Sequence, residues 1–268
     1  MDIKKSETYK NLVRDMQNKY PIYQDVSSNA IIDLWAPVVN SKMICHEINL
    51  YTYWQGFKYA ERTPKIKYLL VAQDAGNVLF RNDTTGLDNY LEMNRTNKWI
   101  PPQYKQEANF GTGHNLIELF KILNRDIMTL NDDVFFTNFC LGYRSGLKGG
   151  NMTKKLMMND AEEFKKLCDI LEPENILCLG KLTFECVYEA LTNKKYENVD
   201  HDYNQFLVNH ENITANCGDI EAKIYPLAHC GGMGTANRNR NLPKQNDPLY
   251  YQKQDWERIA RENKMRCY

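Results

Sequence analysis

Four short apolar runs, each breaking off into a polar or glycine-containing turn that leads into helical sequence, constrain this chain most. They occupy 67–72, 133–138, 175–179 and 223–228. The first, Lys-Tyr-Leu-Leu-Val-Ala, is nearly continuous in its apolar character, the pattern of a strand buried on both faces of a parallel sheet. It stops at Gln73-Asp74-Ala75-Gly76-Asn77, where polarity and a glycine take over. Four strands, each followed by helical sequence, imply an α/β fold of three αβα layers around a central, mainly parallel four-stranded sheet. Polar residues at the carboxyl ends of such strands lie where open α/β folds place their ligands. Taken alone, Asp74 reads as a helix N-cap. The repetition of the design makes it a candidate for chemistry.

Residues 1–60 read as a mainly helical preamble. Ser6 is placed to cap a helix carrying Tyr9, Leu12, Val13 and Met16, closed by Pro21. Apolar helix-like segments follow at 31–39 and 50–59. The connection at 78–109 is longer than most loops of a compact domain. At its end, Phe110-Gly111-Thr112-Gly113-His114-Asn115 opens a helix whose apolar face is Leu116, Leu119, Phe120 and Leu123. Such a turn can hold an anion on its free backbone N–H groups. No strand precedes it, so it is not a dinucleotide-binding loop.

The second run ends in Asn138, whose amide offers an acceptor and two donors, enough to pair with a base edge. Tyr143, Arg144 and Lys148 follow among glycines, as a basic loop. Helices are expected over 160–171, 183–191 and 255–264. Residues 193–221 form a polar insertion with no readable role. In the fourth run, Pro226 suggests an edge position or a strand end. It is followed by His229-Cys230-Gly231-Gly232-Met233-Gly234, a glycine-rich loop that also carries Arg238 and Arg240. With no repeat, low-complexity tract or linker, residues 1–268 are expected to form one domain.

Composition narrows the partners. Lysine plus arginine number 34 and aspartate plus glutamate 34, so the formal net charge is zero. No global field draws the chain to nucleic acid; any such contact needs a local patch. No basic-then-apolar leader and no apolar run of membrane length is present, so a cytoplasmic protein without a membrane partner is expected. Eight cysteines occur, none in CxxC spacing, which favours reduced thiols over a disulfide framework or a zinc site.

Five of these segments, in this order, resemble the uracil-DNA glycosylase superfamily. Gln73-Asp74-Ala75-Gly76 is similar to the family's first motif, Gly-Gln-Asp-Pro-Tyr or Gly-Glu-Ala-Pro-Gly. Phe110-Gly-Thr-Gly-His-Asn-Leu116 resembles the segment whose phenylalanine stacks on the target base. Val134-Phe-Phe-Thr-Asn138 is similar to the strand whose asparagine reads uracil. Pro173-Glu-Asn-Ile-Leu-Cys-Leu-Gly180 resembles the family's Pro-x-x-Ile-x-x-Leu-Gly strand. His229 and its loop resemble the His-Pro-Ser motif, with Met233 at the position of the wedge leucine.

The resemblance covers 67–240 and implies a glycosylase of base-excision repair acting on DNA that carries uracil or another damaged base. It implies catalytic roles for Asp74 and His229, substrate contacts from Gln73, Gly76, Phe110 and Asn138, and DNA contacts from Met233, Arg238 and Arg240. The chain departs from the family in two places. Cys230-Gly-Gly replaces Pro-Ser-Pro, which predicts a looser loop. Gly76 stands where the most uracil-selective members carry a tyrosine. Some members hold an iron–sulfur cluster on four cysteines. Cys168 and, loosely, Cys140 fall near two of those positions, but no CxxC lies upstream, so no cofactor and no metal is expected. A monomer is expected. Two other classes stay open: a non-catalytic nucleic-acid-binding protein on the same fold, and an N-glycosidase of small nucleosides.

Overall fold

The computed structural model describes residues 1–19, 34–35, 62–73, 111–127, 133–140, 143–144, 152–197, 202–209 and 213–264. In chain order these form α1 (Ile3–Lys19), β1 (Leu34–Trp35), β2 (Tyr68–Ala72), α2 (Thr112–Ile122), β3 (Val134–Asn138), β4 (Tyr143–Arg144), α3 (Lys154–Met157), α4 (Ala161–Leu171) and β5 (Asn175–Leu179). Then come α5 (Lys181–Thr192), α6 (Tyr203–Asn209), β6 (Ile213–Cys217), β7 (Ile220–Leu227), α7 (Gly232–Asn239) and α8 (Tyr250–Lys264).

The main sheet has five strands in the order β3-β2-β5-β7-β6. The four apolar runs are β2, β3, β5 and β7, and they pair in parallel. The fifth strand corrects the four-stranded expectation. It comes from the polar insertion, where β6 pairs antiparallel with β7. Its Thr214 and Asn216 face outward between buried Ile213, Ala215 and Cys217. One wet face gave it an alternating, polar sequence rather than an apolar run. Gly218 makes the two-residue turn at φ 59°, and a Cβ there would lie 2.8 Å from the Asp169 carbonyl oxygen. Only glycine fits that turn.

Pro226 lies inside the sheet, paired with Cys178 of β5. It is tolerated because of the direction its missing N–H would take. The Lys223 N–H donates toward β5, to the Glu174 carbonyl, so by alternation position 226 faces the β6 side. There the last described pair is Ile213 with Ile224. The proline therefore removes no donor from the β5–β7 ladder.

Period-two alternation divides the apolar side chains between two cores. Leu69 and Val71 of β2, Phe135 of β3, Ile176 and Cys178 of β5 and Ile224 of β7 pack with α1, α4 and α5. Tyr68, Leu70, Val134, Phe136, Leu177, Leu179, Tyr225 and Leu227 pack with α2 and with Trp256 and Ile259 of α8. Helices therefore cover both faces, giving three αβα layers. That is why β2, β3 and β5 are buried along their whole length. Each fully buried large side chain contributes about 1.5–3 kcal/mol.

Three smaller expectations change. The α1 helix is capped by Asp2, whose Oδ1 accepts the Lys5 N–H at 3.1 Å, and Ser6 is buried inside it. Within 31–39 the described pair Leu34–Trp35 is a strand bonded antiparallel to Tyr143–Arg144, not a helix. The closing helix starts at Tyr250, earlier than 255, because Asp247 caps it by accepting the Leu249 N–H at 2.8 Å. The segments 50–59 and 78–109 lie outside the described residues. No helix among the described residues is long and apolar enough to cross a membrane.

Candidate active site

The chain runs from β2 to β3 on one side and then crosses over to β5 on the other. The carboxyl ends of β2 and β5 thus flank the switch point at which open α/β sheets leave a crevice. Ala72 stands in register with Asn138, and Leu179 with Leu227. The ladder continues one residue further: the Ala72 and Gln73 carbonyls accept the Phe139 and Cys140 N–H groups at 2.8 and 2.9 Å. Gln73 is thereby fixed beside the end of β3. From β3 across to β7 is three strand spacings, about 14 Å.

Asn138 is only 5% exposed. By alternation it lies on the face that Val134 and Phe136 share with α2. Among the described residues its side-chain amide makes no hydrogen bond, and its bonds run through the backbone. Such an amide has one acceptor and two donors to offer a ligand.

At the other end of this edge, His229 follows β7 by two residues. The Gly231 N–H donates to its Nδ1 at 2.9 Å. An Nδ1 that accepts carries no proton, so the neutral ring is protonated on Nε2 and presents that atom as a donor. Two helices hold the backbone here. Gln252 of α8, fully buried, donates its amide to the His229 carbonyl at 3.0 Å. Asn115 of α2 donates to the Cys230 carbonyl at 2.6 Å. The first turn of α2, the Phe110–Leu116 motif's helical part, is therefore packed against the His229 segment.

This packing corrects the expectation of a loose loop. Cys230 and Gly231 are buried, and α7 begins at once, at Gly232. A Cβ on Gly234 would lie 2.0 Å from the His229 carbonyl oxygen, and one on Gly231 would lie 2.9 Å from Thr112 Oγ1. The glycines permit close approach, not mobility. Burial pushes the Cys230 thiol up to about 12, so it stays protonated at neutral pH.

Met233 stands on the first turn of α7 and is 84% exposed. Arg240, just past the helix, is exposed and donates to Asn237 Oδ1 at 2.7 Å. Arg238 is a correction: it does not face solvent. Its guanidinium is 3% exposed and grips both oxygens of Asp255 at 2.8 and 3.0 Å, joining α7 to α8. Burial raises the Asp255 carboxyl against the downward pull of Arg238. A group so enclosed is a structural anchor, not a phosphate contact.

Asp74, Gly76 and Phe110 lie outside the described residues; of the sequence-derived set, the structure places Gln73, Asn138 and His229 on one edge of the sheet and Met233 exposed on the helix that follows His229. Among the described residues no three His, Cys, Asp or Glu side chains group to hold a metal. The six described cysteines are buried free thiols. Asn115 sits inside a glycine-rich segment the sequence singled out, but nothing in the spacing marks its role. Gln252, on a polar helix far along the chain, carries no sequence signal at all. No protein-family model and no curated protein matches the chain.

Proposed function

We propose that this chain is a DNA N-glycosylase that hydrolyses the bond joining uracil, or a related damaged base, to deoxyribose. The observation that carries this reading is a histidine whose Nδ1 accepts a backbone N–H, which puts its proton on Nε2, on the same sheet edge as an asparagine whose side-chain amide makes no hydrogen bond among the described residues. The five motif resemblances, in family order, supply the assignment of the remaining roles.

Excision requires the base to leave the stack, at a cost of a few kcal/mol. Met233, exposed at the start of α7, fills the gap. Phe110 stacks on the extruded ring, a contact of about 1–3 kcal/mol. Asn138 accepts from N3–H and donates to O4 of uracil, and cytosine would leave those groups mismatched. Gln73 lies at the end of β2, and the motif resemblance gives Gly76 a contact with the same base. As the N1–C1′ bond breaks, its electron pair passes to the base and collects on O2. The Nε2–H of His229 meets that oxygen. A preorganised donor of this kind contributes about 3–4 kcal/mol to the transition state. A neutral imidazole suits the task, because it stabilises the anion without first surrendering its proton. Asp74 stabilises the sugar cation and takes the proton of the water that adds to C1′.

One observation favours a second reading, hydrolysis of free nucleosides. Arg238 is consumed internally, leaving Arg240 as the exposed cation of the pair expected to grip phosphates. Salt separates the two readings, because phosphate contacts make DNA binding fall with ionic strength.

The test uses labelled oligonucleotides carrying one uracil, hypoxanthine or mismatched thymine, single- and double-stranded, assayed for alkali-labile sites. Cleavage at uracil is expected, reduced by about 10²–10³ in His229→Ala and lost in Asp74→Asn. Cleavage of hypoxanthine or thymine would keep the class and assign the wider pocket to Gly76. Release of base from deoxyuridine alone, insensitive to salt, would replace DNA by nucleosides as substrate. No cleavage of any substrate would end the enzymatic reading.

A further inference from the structure

We infer that Asn115 is a positioning residue for His229, acting through the peptide bond between Cys230 and Gly231. What His229 does rests on the glycosylase reading; how it is held does not. A trans peptide carries its C=O and N–H in one plane, pointing in opposite directions. Here the carbonyl of that single peptide accepts the Asn115 amide at 2.6 Å, and its N–H donates to His229 Nδ1 at 2.9 Å. The two bonds sit on one rigid plate. Whatever sets the tilt of the plate sets the hydrogen that meets the ring.

A second effect works in the same direction. A carbonyl that accepts a hydrogen bond polarises its peptide and makes the N–H at the other end a stronger donor. Asn115 thus favours the tautomer with Nδ1 bare and Nε2 protonated. The preceding peptide is held as well, since Gln252 donates to the His229 carbonyl at 3.0 Å. Asn115 is itself rigidly mounted. Its N–H closes the first turn of α2 on the Gly111 carbonyl at 3.1 Å, and its neighbours Leu116 and Ile117 are buried in the core. Because the partner is a carbonyl, only a donor serves at this position. An aspartate of the same shape would set oxygen against oxygen.

The experiment reads the His229 imidazole nitrogens by ¹⁵N NMR, above the pH at which the ring is protonated, in the full chain and in Asn115→Asp and Asn115→Ala. Thermal melts establish that each variant is folded. In the unaltered protein Nδ1 should show the shift of a bare nitrogen and Nε2 that of a protonated one. In Asn115→Asp the two should average or exchange, with Asn115→Ala between. The excision rate, where the glycosylase reading holds, should fall by about ten- to a hundredfold with the tautomer. A folded Asn115→Asp that keeps the original tautomer overturns the inference, whatever its activity. A shifted tautomer in a protein that excises nothing would uphold the role of Asn115 and reject the glycosylase reading.

Discussion

At the amino edge of the sheet the strands begin beside ion pairs. Lys65 meets Glu174 at 2.6 Å ahead of β2 and β5. Arg125 grips Asp133 ahead of β3, with Nε 2.9 Å from each carboxylate oxygen, and Lys223 of β7 reaches Glu262 of α8 at 3.3 Å. At the carboxyl edge the described candidate groups are neutral: the Asn138 amide, the His229 ring, and the Asn115 and Gln252 amides that brace the His229 backbone. The amino edge pairs charged side chains with one another. Among the described residues the carboxyl edge instead spends neutral amide donors on bracing the backbone around His229. The contrast separates scaffold from site without reference to any fold family.

Breaking the aim should have the largest effect. Gly234→Ala forces a methyl against the His229 carbonyl, and excision should fall about a hundredfold. Gly232→Ala, with nothing within 4 Å of the added Cβ, should leave the rate near that of the unaltered protein. Equal effects of the two would show that the approach of α7 to His229 does not matter.

The Arg238–Asp255 pair sharpens the distinction between anchor and contact. Arg238→Ala strands a buried carboxylate and should cost about 3–5 kcal/mol in urea unfolding. Replacing both partners, as Arg238→Met with Asp255→Leu, should restore most of that. If the double variant is stable yet loses salt-dependent DNA binding, Arg238 touches phosphate after all.

Asn138→Leu should separate stability from function. Removing a buried amide without a partner among the described residues should leave the midpoint of thermal unfolding unchanged or raise stability by about 1 kcal/mol. Excision should be lost. A marked loss of stability instead would mean that the amide serves the fold.

The smallest effect belongs to the amino edge. The Lys5 ammonium, hydrogen-bonded to Glu172 between α1 and the end of α4, holds that carboxyl below its usual range. The folded pKa is depressed, so the stabilisation is present above the ordinary carboxylate range and is lost as pH falls through the lowered value. Both side chains are partly exposed, which limits the contribution to about 1 kcal/mol or less. Melts of Lys5→Ala should lie below those of the unaltered protein at pH 7 and converge with them at acid pH.

The legible part of the fold was its buried part. The run at 175–179 coincides with β5, and the other three runs lie within a few residues of their strands, because a strand covered on both faces is apolar throughout. The β6 strand was illegible for the opposite reason, since only alternate residues enter the core. Asn138 and His229 were legible as polar residues at strand ends. Arg238 misled, because an arginine in a glycine-rich stretch gives no sign that a carboxylate seventeen residues on will enclose it.

By itself the sequence determined the αβα layering, the four parallel strands and the edge on which the candidate groups fall. These follow from local pattern and from the chirality of crossovers, which act within a strand–helix–strand unit. The tertiary structure alone decided that the glycines after His229 serve close packing and that Arg238 faces inward. It alone decided which His229 nitrogen carries the proton. Those outcomes depend on Asn115, Gln252 and Asp255, which come from distant parts of the chain and meet His229 and α7 only when α2 and α8 pack on the sheet.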